Sequence, residues 1–206
     1  MNPTAGTVTR TRETKADARR DQLAESALMT LGERGYAKTS LREIAQNSLF
    51  SHGVLHYYFD NKIELITYCV RYYKAQCVTR YDEIVATSTT ADELRIRFAD
   101  KLVETLTDEP QMHRLWYDLR TQAMFEVELR QAVLEIDKSL EMMIWRVITR
   151  FAELSGAEPT LDAATTYALL DGVFEKALLE HLTDTGTALP TLHTRAWSLL
   201  PSLIST

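Results

Sequence analysis

Residues 40–62 read SLREIAQNSLFSHGVLHYYFDNK, and the fold of the first third of the chain follows from them. Ser40 precedes the apolar pair Leu41 and Ile44, and Glu43 stands three residues after it. That is the spacing of a capping box, in which the serine and the glutamate each satisfy a backbone N–H of the first helical turn. A break near residues 47–50 leads to Ser51, a second N-cap residue, and then to the two-turn run HGVLHYYF. Leu55 and Phe59, four apart, face inward with Ile44 and Ala45. His52, Gly53, Val54, His56 and Tyr57 are left on the remaining surface.

Upstream, Leu23, Ala24, Ala27, Leu28 and Leu31 mark one face of a helix that begins near Asp17 and stops at Gly35. The polar residues 1–15 are expected to form a disordered tail. Downstream, Asp60 or Asn61 caps a long fourth helix, KIELITYCVRYYKAQCVTRYDEIVA. Later helices end near Thr107, start at Pro110, run from Val127 to Leu154, and close the chain on either side of TGTALP. No segment sustains the alternation of a strand, and 7 Gly and 5 Pro are few for 206 residues. The expected fold is therefore all-α, about nine helices. A three-helix helix-turn-helix domain over 16–62 precedes a larger helical domain over 63–206.

A chain that is 45% hydrophobic can build a real core. No apolar run approaches the roughly 18 residues that span a bilayer, and the first twenty residues lack the apolar centre of a secretory leader. A cytoplasmic chain with no membrane partner is expected. The net charge is −6, but residues 1–62 carry net +2 and the rest net −8. A basic head on an acidic body is compatible with a local phosphate-binding surface; two ordinary solvated surfaces would give the same numbers. Cys69 and Cys77 lie eight apart on one helix, about 12 Å by its rise, too far for a disulfide, and read as small buried thiols. His52 and His56 have the i, i+4 spacing of a helical metal pair, yet no third ligand sits nearby at a fitting spacing. There is no Gly-rich phosphate loop and no nucleophile–base set. No catalytic residue, metal or cofactor is expected, and the chain is read as a non-enzyme.

Two short helices with a tight break, braced by a third, are the parts of a helix-turn-helix. Its second helix fits a major groove about 12 Å wide. There Gly53 lets the backbone approach closely, Val54 can meet a thymine methyl, and His52 and His56 can bond base edges. Tyr57 and Tyr58 offer hydroxyls to phosphate, and Lys62, at the next helix start, is placed to meet the DNA backbone. The run resembles the DNA-binding domain of the TetR family of bacterial transcriptional regulators. The matches are Gly35-Tyr36, Thr39-Ser40, Ile44-Ala45, Ser51, Gly53, Leu55, Tyr57, Tyr58, Phe59, Lys62 and Leu65. On this reading Thr39, Ser40, Arg42, Tyr57 and Lys62 position the duplex, while His52, Gly53, Val54 and His56 read bases. Two positions depart from the family pattern. Leu49 replaces the turn glycine, a cost of roughly 1–2 kcal/mol if the backbone there is left-handed. His56 replaces the first tyrosine of the recognition helix, which changes the identity of one phosphate or base contact and would make that contact sensitive to pH.

In the larger domain Phe98, Leu102, Met112, Trp116, Met124, Met142 and Trp145 suit either a plain core or a ligand cavity between helices. His113, Tyr117 and Arg120 would orient a ligand if they face in. The resemblance implies such a cavity, for an unidentified and largely apolar effector. The final helices carry Tyr167, Leu170, Val173, Phe174, Leu178 and Leu182, then Leu192, Trp197 and Leu200, an apolar surface suited to a four-helix interface with a twofold partner. The expected function is a homodimeric, ligand-responsive transcriptional regulator: a repressor that binds a palindromic operator and is released by a small molecule. A helical ligand-binding protein or enzyme that has lost DNA binding is the alternative, motivated by Leu49 and the acidic net charge.

Overall fold

The computed structural model describes residues 5–183 and 186–205, with side chains from Ala16 onward. These residues form ten α-helices and a closing 3-10 turn. The head comprises α1 (Ala5–Arg34), α2 (Leu41–Gln46) and α3 (His52–Tyr58). The body follows as α4 (Lys62–Cys77), α5 (Asp82–Thr87), α6 (Ala91–Asp108), α7 (Pro110–Gln122), α8 (Val127–Ser155), α9 (Ala163–Leu182) and α10 (Ala188–Leu199). Among the described residues there is no strand, only an isolated bridge between Pro159 and Ile204.

Local chemistry sets the boundaries in the head. The Ser40 Oγ accepts from the Glu43 N–H at 3.2 Å, and Glu43 Oε2 accepts from the Ser40 N–H at 2.8 Å, so both arms of the capping box are made. Such a cap contributes about 1 kcal/mol. Ser51 caps α3 through the Val54 N–H. Of the two candidates for α4, Asn61 is the cap, accepting from the Glu64 N–H at 2.9 Å. Gly35 ends α1 at φ +78°, a conformation that side chains with a Cβ rarely adopt. The turn between α2 and α3 is closed by Ser48, whose hydroxyl accepts from the Phe50 N–H at 3.1 Å, while Leu49 points wholly into solvent.

Two boundaries differ from the sequence reading. The segment 1–15 was expected to be a disordered tail, but α1 is helical from Ala5; residues 1–4 lie outside those described. No Gly or Pro interrupts residues 7–31. Once packed turns have nucleated a helix, each further residue adds a hydrogen bond at little cost. The long fourth helix is two, because α4 caps at Val78 and tight turns through Thr79 precede α5.

The core runs unbroken from head to body. Leu23, Leu31, Ile44, Leu55 and Leu65 are fully buried, each stabilising the head by about 1.5–3 kcal/mol. In the body α10 lies on α6 and α9, α8 lies on α9, and α4 bridges α1 and α8. Helix α7 crosses from α1 to α9, pressed so close to the head that a Cβ on Gly32 would fall 2.3 Å from the Met112 Cε. Cys69 and Cys77 are free and buried; burial pushes the Cys69 thiol well above its usual range. No helix among the described residues is long and apolar enough to cross a membrane.

Candidate nucleic-acid interface and ligand cavity

Helix α3 stands at the surface of the head with His52, Gly53, His56 and Tyr57 exposed and Leu55 buried beneath. Val54 and Tyr58 are half-buried. The His52 and His56 rings meet edge to face at 4.4 Å, and Tyr57 meets Tyr58 in the same way at 5.0 Å. A Cβ on Gly53 would touch only the Ser51 Oγ, at 4.0 Å, so this spot is open to whatever approaches from outside. Arg42 on α2 is exposed and has no ion-pair partner among the described residues, and neither does Lys38 just before α2. Lys38 was not singled out from the sequence. It is exposed just before α2, and no motif points to it.

Three residues expected to hold phosphate are committed inside the head. The Thr39 hydroxyl is buried and donates to the Gly35 carbonyl at 2.7 Å. The Ser40 hydroxyl serves the cap. Lys62 turns inward: its Nζ donates to the Tyr36 carbonyl at 2.6 Å and sits 4.0 Å over the Tyr36 ring, where burial lowers its pKa. These side chains shape the α1–α2 connection, whereas Arg42 and Lys38 are exposed and have no ion-pair partner among the described residues.

The body holds a cavity of about 580 Å³, counted to its open mouth, between α4, α6, α7, α8 and α9. Phe98, Leu102, His113, Trp116 and Tyr117 line it, as five of the ten expected pocket residues. Arg120 stands behind the wall, ion-paired with Asp171, which does line it. The other four are elsewhere. Met124 is exposed beyond the end of α7, and Met142 is exposed on the outer side of α8. Trp145 is half-buried on the core's margin, and Met112 faces α1. The helical spacing that identified an apolar face in α8 left its direction undetermined; the wall is made by the neighbouring Leu140, Met143 and Ile144.

Of the polar wall, His113 and Tyr117 were expected from sequence, and Lys74, Arg80 and Asp171 were not. Lys74 on α4 is 5% exposed and lines the cavity, and burial brings its pKa down to about 8. Burial, with the charges of Lys74 and Arg80, holds His113 at about 3, so its ring is neutral. Glu109 accepts from Arg80 at 2.6 Å and from the Tyr73 hydroxyl at 2.7 Å. Asp171 accepts from Arg120 and, at 3.0 Å, from the Tyr117 hydroxyl.

The expected dimer surface is also redistributed. Tyr167, Leu170 and Phe174 line the cavity, and Leu178, Leu192 and Leu200 are buried within the single chain. Trp197 remains 41% exposed, with Arg95 stacked 3.3 Å from its ring centre. Val173 is half-buried and Leu182 exposed. The outward face of α9 instead presents Ala168, Leu169, Gly172 and Leu179. A Cβ on Gly172 would meet nothing within 4 Å.

An outward two-turn helix on a basic head, joined to a helical body with a buried cavity, defines a helix-turn-helix DNA-binding transcriptional regulator. Residues 23–69 match the family model described as bacterial regulatory proteins, tetR family. The HTH-type transcriptional regulator PksA of Bacillus subtilis is 23% identical over 165 residues, 80% of each chain. Among solved structures, the regulator FadR from B. subtilis in complex with stearoyl-CoA superposes with TM-score 0.71 at 22% identity, over 89% of this chain and 98% of that one. A regulator from Saccharomonospora viridis in complex with choline gives 0.69 at 18% identity, over 91% and 98%.

Proposed function

We propose that this chain acts in the cytoplasm as a homodimer, most simply a repressor, that reads a palindromic operator and is released when a small molecule enters the cavity. The outward face of α3 is the observation that carries the reading: His52, Gly53, His56 and Tyr57 lie where base edges would be, with Arg42 and Lys38 beside them. Residues 16–62 act as the reading head and 63–206 as the effector and pairing body. Two structural neighbours hold small molecules, stearoyl-CoA and choline, which supports assigning the cavity to an effector.

Pairing falls to α9 and α10. Gly172 sits in mid-helix, where glycine costs about 1 kcal/mol relative to alanine. Nothing inside the chain requires its small size. A second helix packed closely against it would. Thr187, Pro190 and Thr194 are exposed at the start of and along α10.

Release follows from differential binding: an effector that favours one placement of α4 and α7 shifts the spacing of the two heads. A gel shift against the DNA flanking the protein's own gene tests the reading. Binding to one site at least a hundredfold tighter than to random duplex, with two chains per site, is expected. Equal affinity for both duplexes refutes it.

A further inference from the structure

The cavity wall sets polar side chains among apolar ones, and one of its charges has no partner among the described residues. Lys74 lines it from α4, nearly fully buried. Among the described residues its ammonium has no hydrogen-bond acceptor and no carboxylate in bonding range. Its neighbours are ring faces, Trp116 at 4.9 Å and Tyr73 at 5.6 Å. The two carboxylates nearest in the wall are already taken, Glu109 by Arg80 and Tyr73, Asp171 by Arg120 and Tyr117. Beside Lys74, the Trp116 Nε1–H is buried with no acceptor. His113 is bonded to the Thr105 backbone carbonyl, which can only accept, so the ring proton lies on that side and the orphaned Nε2 presents a lone pair.

An unpaired buried ammonium and an unpaired buried N–H each raise the energy of the empty protein. One kind of ligand satisfies both: an acceptor-rich anion small enough to sit between a lysine and an indole. A cation would face Lys74 directly. A neutral amide would satisfy the indole and leave the charge uncompensated. A dianion would set its second charge against the His113 lone pair or among apolar side chains.

We propose that the effector is an apolar monocarboxylic acid, its carboxylate held by Lys74 and Trp116 and its body lying among Phe98, Leu140, Met143, Leu170 and Phe174. This rests on the reading of the cavity as the effector site. It fixes the chemical class that the site recognises and makes Lys74 the residue that selects charge.

Matched probes test it. Benzoate, 3-phenylpropionate and octanoate, each with its primary amide and its amine, vary the size and shape of the body between sets and change only the head group within each set. Calorimetric titration of the full chain at neutral pH should find at least one acid bound tenfold or more tighter than its amide, and no amine bound. Lys74→Met should abolish the difference between that acid and its amide, and Lys74→Arg should keep it. The wild-type series is decisive alone if a variant does not fold. An amide binding as well as its acid throughout the series, amine binding, or no acid bound overturns the proposal. A gel shift with the best acid separates the two readings. Operator binding by a protein that shows no acid preference overturns the anion site and leaves the regulator standing. Acid binding that never releases operator does the reverse.

Discussion

Replacing Lys74 by Met in the unliganded protein removes a charge that the fold holds away from water, and the chain should become more stable. Burial brings the ammonium from 10.5 to about 8, a penalty on the charged form of about 3 kcal/mol. Around it Glu109 and Asp171 favour the charge and Arg80 opposes it, while His113 is neutral. Tyr73 also stays neutral, its pKa raised chiefly by burial. Because the folded-state pKa lies below the unfolded one, the cost is fully present below pH 8. It fades as pH rises toward 10.5, where the unfolded chain loses the same proton. Methionine keeps the apolar stem but gives up the contact with the Trp116 face, worth about 1 kcal/mol. The net gain at pH 7 is therefore about 2 kcal/mol, or a rise in Tm of roughly 4–8 °C for a chain of this length. Circular dichroism melts of wild type and variant, at equal protein concentration from pH 6 to 10.5, read it out. The two curves should converge above pH 8. A variant less stable at pH 7, or a gap that stays constant with pH, would refute the account of Lys74 as an uncompensated charge.

Arg42→Ala should weaken binding to all duplexes and lower the salt slope by about one, whereas His56→Ala should relax preference at one base pair by about 1–3 kcal/mol; identical effects of both on specific and random DNA would refute the division between phosphate and base contacts. Leu179→Glu, exposed in the single chain, should change monomer stability by no more than about 0.5 kcal/mol yet yield monomers in sedimentation and abolish operator binding; a dimer of normal affinity would move the interface elsewhere. Asp118→Ala strips the acceptor from the Tyr36 N–H and should cost about 1–2 kcal/mol of stability, leaving operator binding measurable but its release by ligand blunted; normal release would show that α7 does not carry the signal.

The head was legible because its information is local. The Ser40–Glu43 box, the Ser51 cap and the Gly35 stop each act within one or two turns, so spacing alone places them. What failed there was the fate of single polar groups. Thr39 and Lys62 carry the right chemistry for phosphate, but the carbonyls of Gly35 and Tyr36 lie closer than any duplex would. In the body, periodicity found the apolar faces and left their partners undefined. The apolar run of α9 reads as one surface, yet Tyr167, Leu170 and Phe174 serve the cavity while Leu169 and Leu179 remain outside. Lys74 was the least legible of all. In YCVRYYKAQC a lysine reads as solvated surface, and only the closure of α7 over it, a contact some forty residues away in sequence, makes it buried.

The placement of that lysine ties the cavity to the head through one residue. Tyr36 sits at the α1–α2 connection, directly upstream of the helix-turn-helix, and both of its peptide groups are gripped by the body. Its N–H donates to Asp118 on α7 at 2.7 Å, and its carbonyl accepts from Lys62 on α4 at 2.6 Å. Arg114, also on α7, holds the carbonyls of Gly32 and Glu33 at the end of α1. The same two helices also line the cavity. Lys74 lies twelve residues along α4 from Lys62, and His113, Trp116 and Tyr117 occupy the face of α7 turned away from Arg114 and Asp118. At 100° per residue the mean direction of positions 113, 116 and 117 lies about 130° from that of 114 and 118, so α7 presents one side to the cavity and a different side to the head. If the proposed anion shifts α4 against α7 as it binds Lys74 and Trp116, the groups that define the position of Tyr36 move with them. Operator affinity and effector affinity are then two readouts of one inter-helix distance, and each must change the other by the same factor.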